Sequence, residues 1–399
     1  MTSPEIAFYK KLSSATKTIF EELYGDPNGG HLIIAPASLI LLGDHTHYNG
    51  GILLSVALNK FVTIIIKKRT DQTINLTDAN SLNSIIFQIS DIDNLNEHKF
   101  RNELCLLRML KANCQLEFGF NCVIHSEVPE CLGLGALASL EVGFATALNQ
   151  ELNLGLNNSD LLEYVRQCEL LSIGKISNIA HHYTVKFGKE NKFFNIDLRS
   201  LEHKSLARKE HNFDIVIINT GERIQFVSDI CNERIEECEI GVKGLRLYIW
   251  GIKNLRDVEQ SFLLRHYHML PKRIFNRILY NVNERIRSEE ALKFIKKNKM
   301  EDFGKCITQS HWSISSDYEL SCPKCDFLIE RSSKLPGVFG SKMISCSQWR
   351  STFHLVRSEN TNSFIKNIKK KFQNEFKSEP EFYVYQISDG VKEIPIKKN

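Results

Sequence analysis

Ala35-Pro36-Ala37-Ser38-Leu39-Ile40-Leu41-Leu42-Gly43-Asp44-His45-Thr46-His47-Tyr48-Asn49-Gly50-Gly51 is the most informative stretch of this chain. It follows an apolar, β-rich run, His31–Ile34, and gathers a carboxylate and two imidazoles, Asp44, His45 and His47, between glycines.

Outside this stretch the composition limits what the residues can mean. The chain has 399 residues, 42% hydrophobic and 25% charged, enough for about two domains with real cores. No apolar run approaches the roughly 20 residues of a membrane span, and Met-Thr-Ser-Pro-Glu does not open a signal peptide. A cytoplasmic protein that binds no membrane is expected. Eleven cysteines follow no repeated spacing, and several sit in apolar settings such as Leu104-Cys105-Leu106, as reduced thiols packed as small hydrophobes do. A net charge of +4 is small for this length, and Lys366–Lys371 reads as the solvated face of a helix, so nucleic acid is not indicated.

Apolar β-rich runs alternate with helical patterns, predicting mixed α and β layers. Strands are expected at His31–Ile34, Phe61–Lys67, Ile85–Ser90, Asn121–Ser126, Phe193–Leu198, Phe213–Asn219, Thr352–Val356 and Phe382–Ile387. Helices are expected at Phe100–Asn113, Ala136–Asn149, Asp160–Leu171, around Ile235–Gly241, and at Ser288–Asn298, Tyr318–Ser333 and Ser363–Phe376. The charged stretch Leu201–Asn212 reads as a break between two domains.

Three further segments extend the pattern in order. They are Val128-Pro129-Glu130-Cys131-Leu132-Gly133-Leu134-Gly135-Ala136-Leu137-Ala138-Ser139-Leu140-Glu141, then Gly174–Glu190 with Asn195–Glu202, and finally Ser310–Pro323 leading to Pro336–Met343. With the opening stretch they resemble the galactokinases of the GHMP small-molecule kinase family over nearly the whole chain. The resemblance implies an α+β, two-domain GHMP kinase fold with the site between the domains. Residues 1–205 would form a domain like ribosomal protein S5 domain 2, with sugar motif and phosphate loop, and residues 206–399 a ferredoxin-like domain.

Within that resemblance the chemistry departs from the family. Galactokinases carry an arginine at Ser38, a glutamate at Asp44 and an aspartate at His47; their catalytic aspartate falls on His181 by an ungapped count, or on His182 if the count slips by one. Asp44, His45, His47 and Asn178 would line the sugar pocket, where Asp44, His45, His47 and His181 would offer neutral imidazoles and one carboxylate, suited to zinc or another late first-row metal better than to magnesium; histidines that merely hydrogen-bond locally are the preferred reading. The phosphate loop keeps Gly133, but Gly135, Ala136 and Leu137 stand where the family has serines, and magnesium prefers oxygen ligands. Glu169 matches the family's metal carboxylate. The family's glycine-rich run is replaced by Ser345-Cys346-Ser347-Gln348-Trp349-Arg350, which implies a closed or remodelled nucleotide pocket.

Other candidates are set aside. Cys322 and Cys325 form a lone C-x-x-C pair, read as packing. Ser310-His311 lacks a third member for a hydrolase triad, and Asp317-Tyr318-Glu319 reads as a helix start.

Taken together, the altered positions favour a galactokinase-like protein impaired or inactive in phosphoryl transfer, a pseudokinase that binds a sugar-like ligand or a protein partner without a cofactor. The alternative is an active ATP-dependent sugar kinase with an unusual site, using ATP and Mg. Nucleotide binding separates the two.

Overall fold

The computed structural model describes residues 8–397 apart from 10, 115, 174–177, 208–211 and 346. In chain order its elements are α1 (Ser14–Tyr24), β1 (His31–Leu42), β2 (Ile52–Lys68), β3 (Thr73–Asp78), β4 (Asn83–Gln88), α2 (Arg101–Asn113), β5 (Phe120–Ser126), α3 (Ala136–Glu151), α4 (Asn158–Ile173), α5 (Ala180–Phe187), β6 (Lys192–Asp197), β7 (His203–Ala207), β8 (Phe213–Arg223), α6 (Val227–Leu245), α7 (Gln260–Arg265), α8 (Lys272–Lys296), α9 (Met300–Ser316), α10 (Pro323–Ser332), β9 (Val338–Ile344), β10 (Trp349–Arg357), α11 (Thr361–Phe376), β11 (Glu381–Tyr385) and β12 (Lys392–Pro395). They form two sheets. The larger runs β12-β1-β2-β5-β3-β4, with β6 also paired to β2 and β7 to β6; the smaller runs β11-β8-β10-β9.

The strand β2 organises the larger sheet because it is long enough to serve two neighbours. Its start, Ile52–Ser55, pairs with β6, and its end, Val62–Lys68, pairs with β5. β1 pairs with β2 along nearly its whole length, and its burial on both faces matches its continuous apolar run. Pro36 lies inside this central strand, where a proline removes a ladder donor. The register slips there, from Pro36 opposite Phe61 to Ala37 opposite Leu58. A strand expected to end at Ile34 therefore continues to Leu42.

Three other expectations are corrected. The helix expected over Tyr318–Ser333 begins only at Pro323, after a non-helical link, because Pro323 occupies the first turn of α10 with Cys322 before it, a position where a missing N–H does no harm. Asp317 ends α9, so Asp317-Tyr318-Glu319 is a link and not a helix start. Part of the expected break, His203–Ala207, is an edge strand paired with β6, while residues 208–211 lie outside the described residues.

The two sheets share one core. Phe193 of β6 stacks on Phe213 of β8 with centroids 6.2 Å apart and meets Phe303 of α9 edge-on at 5.1 Å; Phe213 in turn meets Phe339 of β9 at 6.2 Å. α9 lies directly on β9 because two glycines face each other. A Cβ on Gly304 would sit 1.8 Å from the Phe339 carbonyl oxygen, and one on Gly340 would sit 2.2 Å from that of Gly304. This contact sets Ser310 and Lys342 side by side in the site below. Gly304→Ala should lower stability by about 3 kcal/mol, the upper end for overpacking, read as a shifted urea midpoint; an unchanged midpoint would mean that α9 is not seated on β9 in this way.

Candidate active site

The loop from β1 to β2 is built from its own backbone. Thr46 donates its hydroxyl to the Gly43 carbonyl at 2.7 Å, and the Asn49 and Gly51 amides both donate to the Thr46 carbonyl at 2.9 Å. That knot pins the backbone that carries Asp44, His45 and His47. His45 lies 5.1 Å from the Tyr318 ring, and His47 packs edge-on against Tyr48 at 4.7 Å, while the Tyr48 and Tyr318 hydroxyls bond to each other.

Beneath the loop sits a buried ionic cluster. Lys342 of β9, with no exposed surface, places Nζ 3.0 Å from Asp44 Oδ2 and 3.8 Å from Glu284 Oε1. Glu284, on α8 and equally buried, accepts from the Gly43 amide at 2.9 Å and from the Ser310 hydroxyl at 2.7 Å, and pairs with Arg287. Burial alone would raise its acid, but Arg287, Lys342 and these donors outweigh it and hold the carboxyl below its usual range. The Tyr280 hydroxyl donates to the Asp44 carbonyl at 2.8 Å.

Glu284, Tyr280 and Lys342 were given no role from sequence. A usable signal existed on α8, where Arg277, Tyr280, Asn281, Glu284 and Ser288 recur at spacings of three and four and are all buried, since a polar stripe on a buried face marks a network to be satisfied.

Ser38 and His181 meet. Ser38 Oγ lies 2.8 Å from His181 Nδ1, at the first turn of α5. Burial pulls the imidazole of His181 down to about 4, with neighbouring His182 adding to the fall and Asp44 opposing it; burial likewise lowers His45 and His47 to about 3. Asn178 stands just before α5, its Oδ1 accepting from the Ala180 amide at 3.2 Å. Residues 174–177 of the same segment lie outside the described residues.

The phosphate loop leads into α3. Gly133 and Gly135 both adopt positive φ, +74° and +66°, and the first turn of α3 has no side-chain cap. Uncapped first-turn amides are a ready anion site. The residues do not fit a magnesium held by this loop, however. Gly135, Ala136 and Leu137 carry no side-chain oxygen, and the Ser139 hydroxyl is engaged by the Pro36 and Gly135 carbonyls. The turn after β9 is stitched to this loop, with the Trp349 amide donating to the Cys131 carbonyl at 3.1 Å. Gln348 and Arg350 turn away toward Arg223 and the Leu320 carbonyl. A small cleft between α6 and this turn is lined by Val227, Cys231, Leu320, Met343, Ser345 and Arg350.

Of the metal candidates read from sequence, Glu169 lies in a cluster of donors, whereas Asp44 does not gather with the histidines of its loop. Asp44 faces Lys342, and among the described residues the three donors within 4.8 Å of one another are Glu141, Glu169 and His182. Ser310 and His311 diverge, one to Glu284 and the other to Asp326 at 3.1 Å. Cys322 and Cys325 are both buried.

Known proteins resemble this chain along nearly its full length. Residues 18–68 match the galactokinase galactose-binding signature, and residues 102–189 match the N-terminal domain of GHMP kinases. The chain is 29% identical to a galactokinase of Fusobacterium nucleatum over 385 residues, covering 94% of this chain and 98% of that one. It is 27% identical to a galactokinase of Lactiplantibacillus plantarum, covering 96% and 100%. The Lactococcus lactis galactokinase solved with galactose superposes with a TM-score of 0.89 at 25% identity, over 96% of this chain and 99% of that one. A mevalonate kinase superposes at 0.63 and 20% identity, which bears on the fold alone. No helix among the described residues is long and apolar enough to cross a membrane.

The buried imidazoles set an acid limit on stability. His45, His47, His181 and His354, the last also lowered to about 3 by burial, take up protons in the unfolded chain before they do so in the folded one. Their contribution is complete above about pH 6.5 and drains as pH falls toward the folded values, by up to about 1.4 kcal/mol per pH unit for each ring. The thermal midpoint should fall steadily between about pH 6.5 and 4.5; a flat profile there would contradict the buried, neutral assignment.

Proposed function

Because the chain belongs to the GHMP kinase family, on its galactokinase branch, we propose that it is a slow ATP-dependent sugar kinase, transferring the terminal phosphoryl group to a hydroxyl of a galactose-like hexose. The observation that carries this reading is the near-complete superposition on a galactokinase solved with galactose. Asp44, His45 and His47 would meet the sugar, and the uncapped amides at the start of α3 would receive the phosphates. His181 is neutral at neutral pH, as a general base must be before it acts. With Nδ1–H donated to Ser38, Nε2 keeps the lone pair that accepts the proton of the sugar hydroxyl. Metal, on this reading, arrives with the nucleotide as part of the substrate.

Ser38 explains why the kinase is slow. It brings no positive charge to the transferring phosphoryl group, and an arginine in that role is worth about 10³–10⁵ in rate in other phosphoryl-transfer enzymes. A second reading, a sugar-binding protein without transfer, is favoured by one observation, the loss of every side-chain oxygen at Gly135, Ala136 and Leu137. Incubating excess protein with radiolabelled ATP·Mg and a panel of hexoses should yield a labelled sugar phosphate, and the double variant Ser38→Arg/His181→Asp should raise the rate by about 100-fold or more. Hexose binding by calorimetry with no sugar phosphate from either protein would refute the kinase and leave the binding protein.

A further inference from the structure

Neighbouring histidines of α5 serve different places. His181 meets Ser38, while His182 points into the layer between α3, α4 and α5, where its Nε2 lies 2.9 Å from Glu141 Oε2 and 3.9 Å from Glu169 Oε2. Glu141 is 4% exposed, Glu169 2% and His182 1%. One donor atom from each lies within 4.8 Å of the other two. A tetrahedral shell with bonds of about 2.0–2.2 Å has edges of roughly 3.3–3.6 Å, which falls between the two separations observed.

A second observation is electrostatic. The other Glu141 oxygen, Oε1, is sealed from solvent with no hydrogen-bond partner, and among the described residues no lysine or arginine pairs with this side chain. Glu103, buried beside it on α2, adds a further carboxyl. Buried carboxyls persist when protonated, paired or bound to metal. A small cavity lined by Glu103, Leu140, Phe144 and Cys168 borders Glu141.

We propose that Glu141, Glu169 and His182 form a binding site for a late first-row divalent cation of the zinc class, tying α3, α4 and α5 together. One imidazole with two carboxylates is a zinc-type donor set, whereas magnesium takes an octahedral shell of oxygens in which an imidazole has no place. One of the three, Glu169, is the position that the galactokinase resemblance gives to a metal carboxylate; Glu141 and His182 are assigned by geometry, and the binding test below does not depend on phosphoryl transfer.

The test uses the full chain, stripped with chelator, loaded with Zn²⁺ and desalted. Wild type should retain about one equivalent of zinc and melt at a higher temperature than the stripped protein, and Co²⁺ in its place should give visible d–d bands. His182→Gln keeps an amide able to bond Glu141 and so preserves the fold, checked by circular dichroism, yet should weaken zinc by at least about 100-fold. Glu169→Gln serves as the second variant and should show the same loss. Equal zinc retention by both folded variants, or neither retained zinc nor a melting shift in wild type, would overturn the proposal.

Discussion

A lysine without exposed surface, Lys342, lies between the carboxylates of Asp44 and Glu284, and the site is arranged around that charge. Desolvating three ionised groups is expensive, and only close geometry with further hydrogen bonds offsets it. The fold supplies both. The Gly43 amide, the Ser310 hydroxyl and Arg287 complete Glu284, and the contact between Gly304 and Gly340 holds α9 near enough for Ser310 to reach. One cluster thus joins β9 of the smaller sheet, the β1–β2 loop of the larger sheet and α8.

That constraint separates frame from chemistry. With Asp44 committed to Lys342, the imidazoles of His45, His47 and His181 lose the carboxylate that would have made them a metal site, and burial keeps them neutral. The donors that do converge are one layer away, at Glu141, Glu169 and His182. Meanwhile Ser38 and His181 stand as a neutral hydrogen-bonded pair, at the positions where the galactokinase resemblance puts an arginine and an aspartate. Gly133 and Gly135 turn the chain through positive φ into α3, with no side-chain oxygen at Gly135, Ala136 or Leu137.

Legibility followed locality. Strands such as Phe213–Arg223 and helices such as Arg101–Asn113 announce themselves by apolar runs and periodicity. Pro36 concealed the second half of β1, because sequence shows the missing donor and hides the bulge that tolerates it. Thr73–Asp78 and Lys392–Pro395 went unread since short strands owe their existence to partners far along the chain. In the candidate site, Ser38, Asp44, His45, His47 and His181 are named from motif position alone. Glu284 is not, because it comes to Gly43 from 241 residues away. His182 was seen only as a possible slip in counting, since its partners Glu141 and Glu169 lie on two other helices.

The claim that a buried charge cluster holds the two sheets in register is tested most directly by a double-mutant cycle in urea, using Lys342→Met, Glu284→Gln and the pair. The account predicts a coupling energy of about 3 kcal/mol, with each single variant much less stable than additivity with the double would allow. A coupling near zero, with the single effects simply adding, would contradict it.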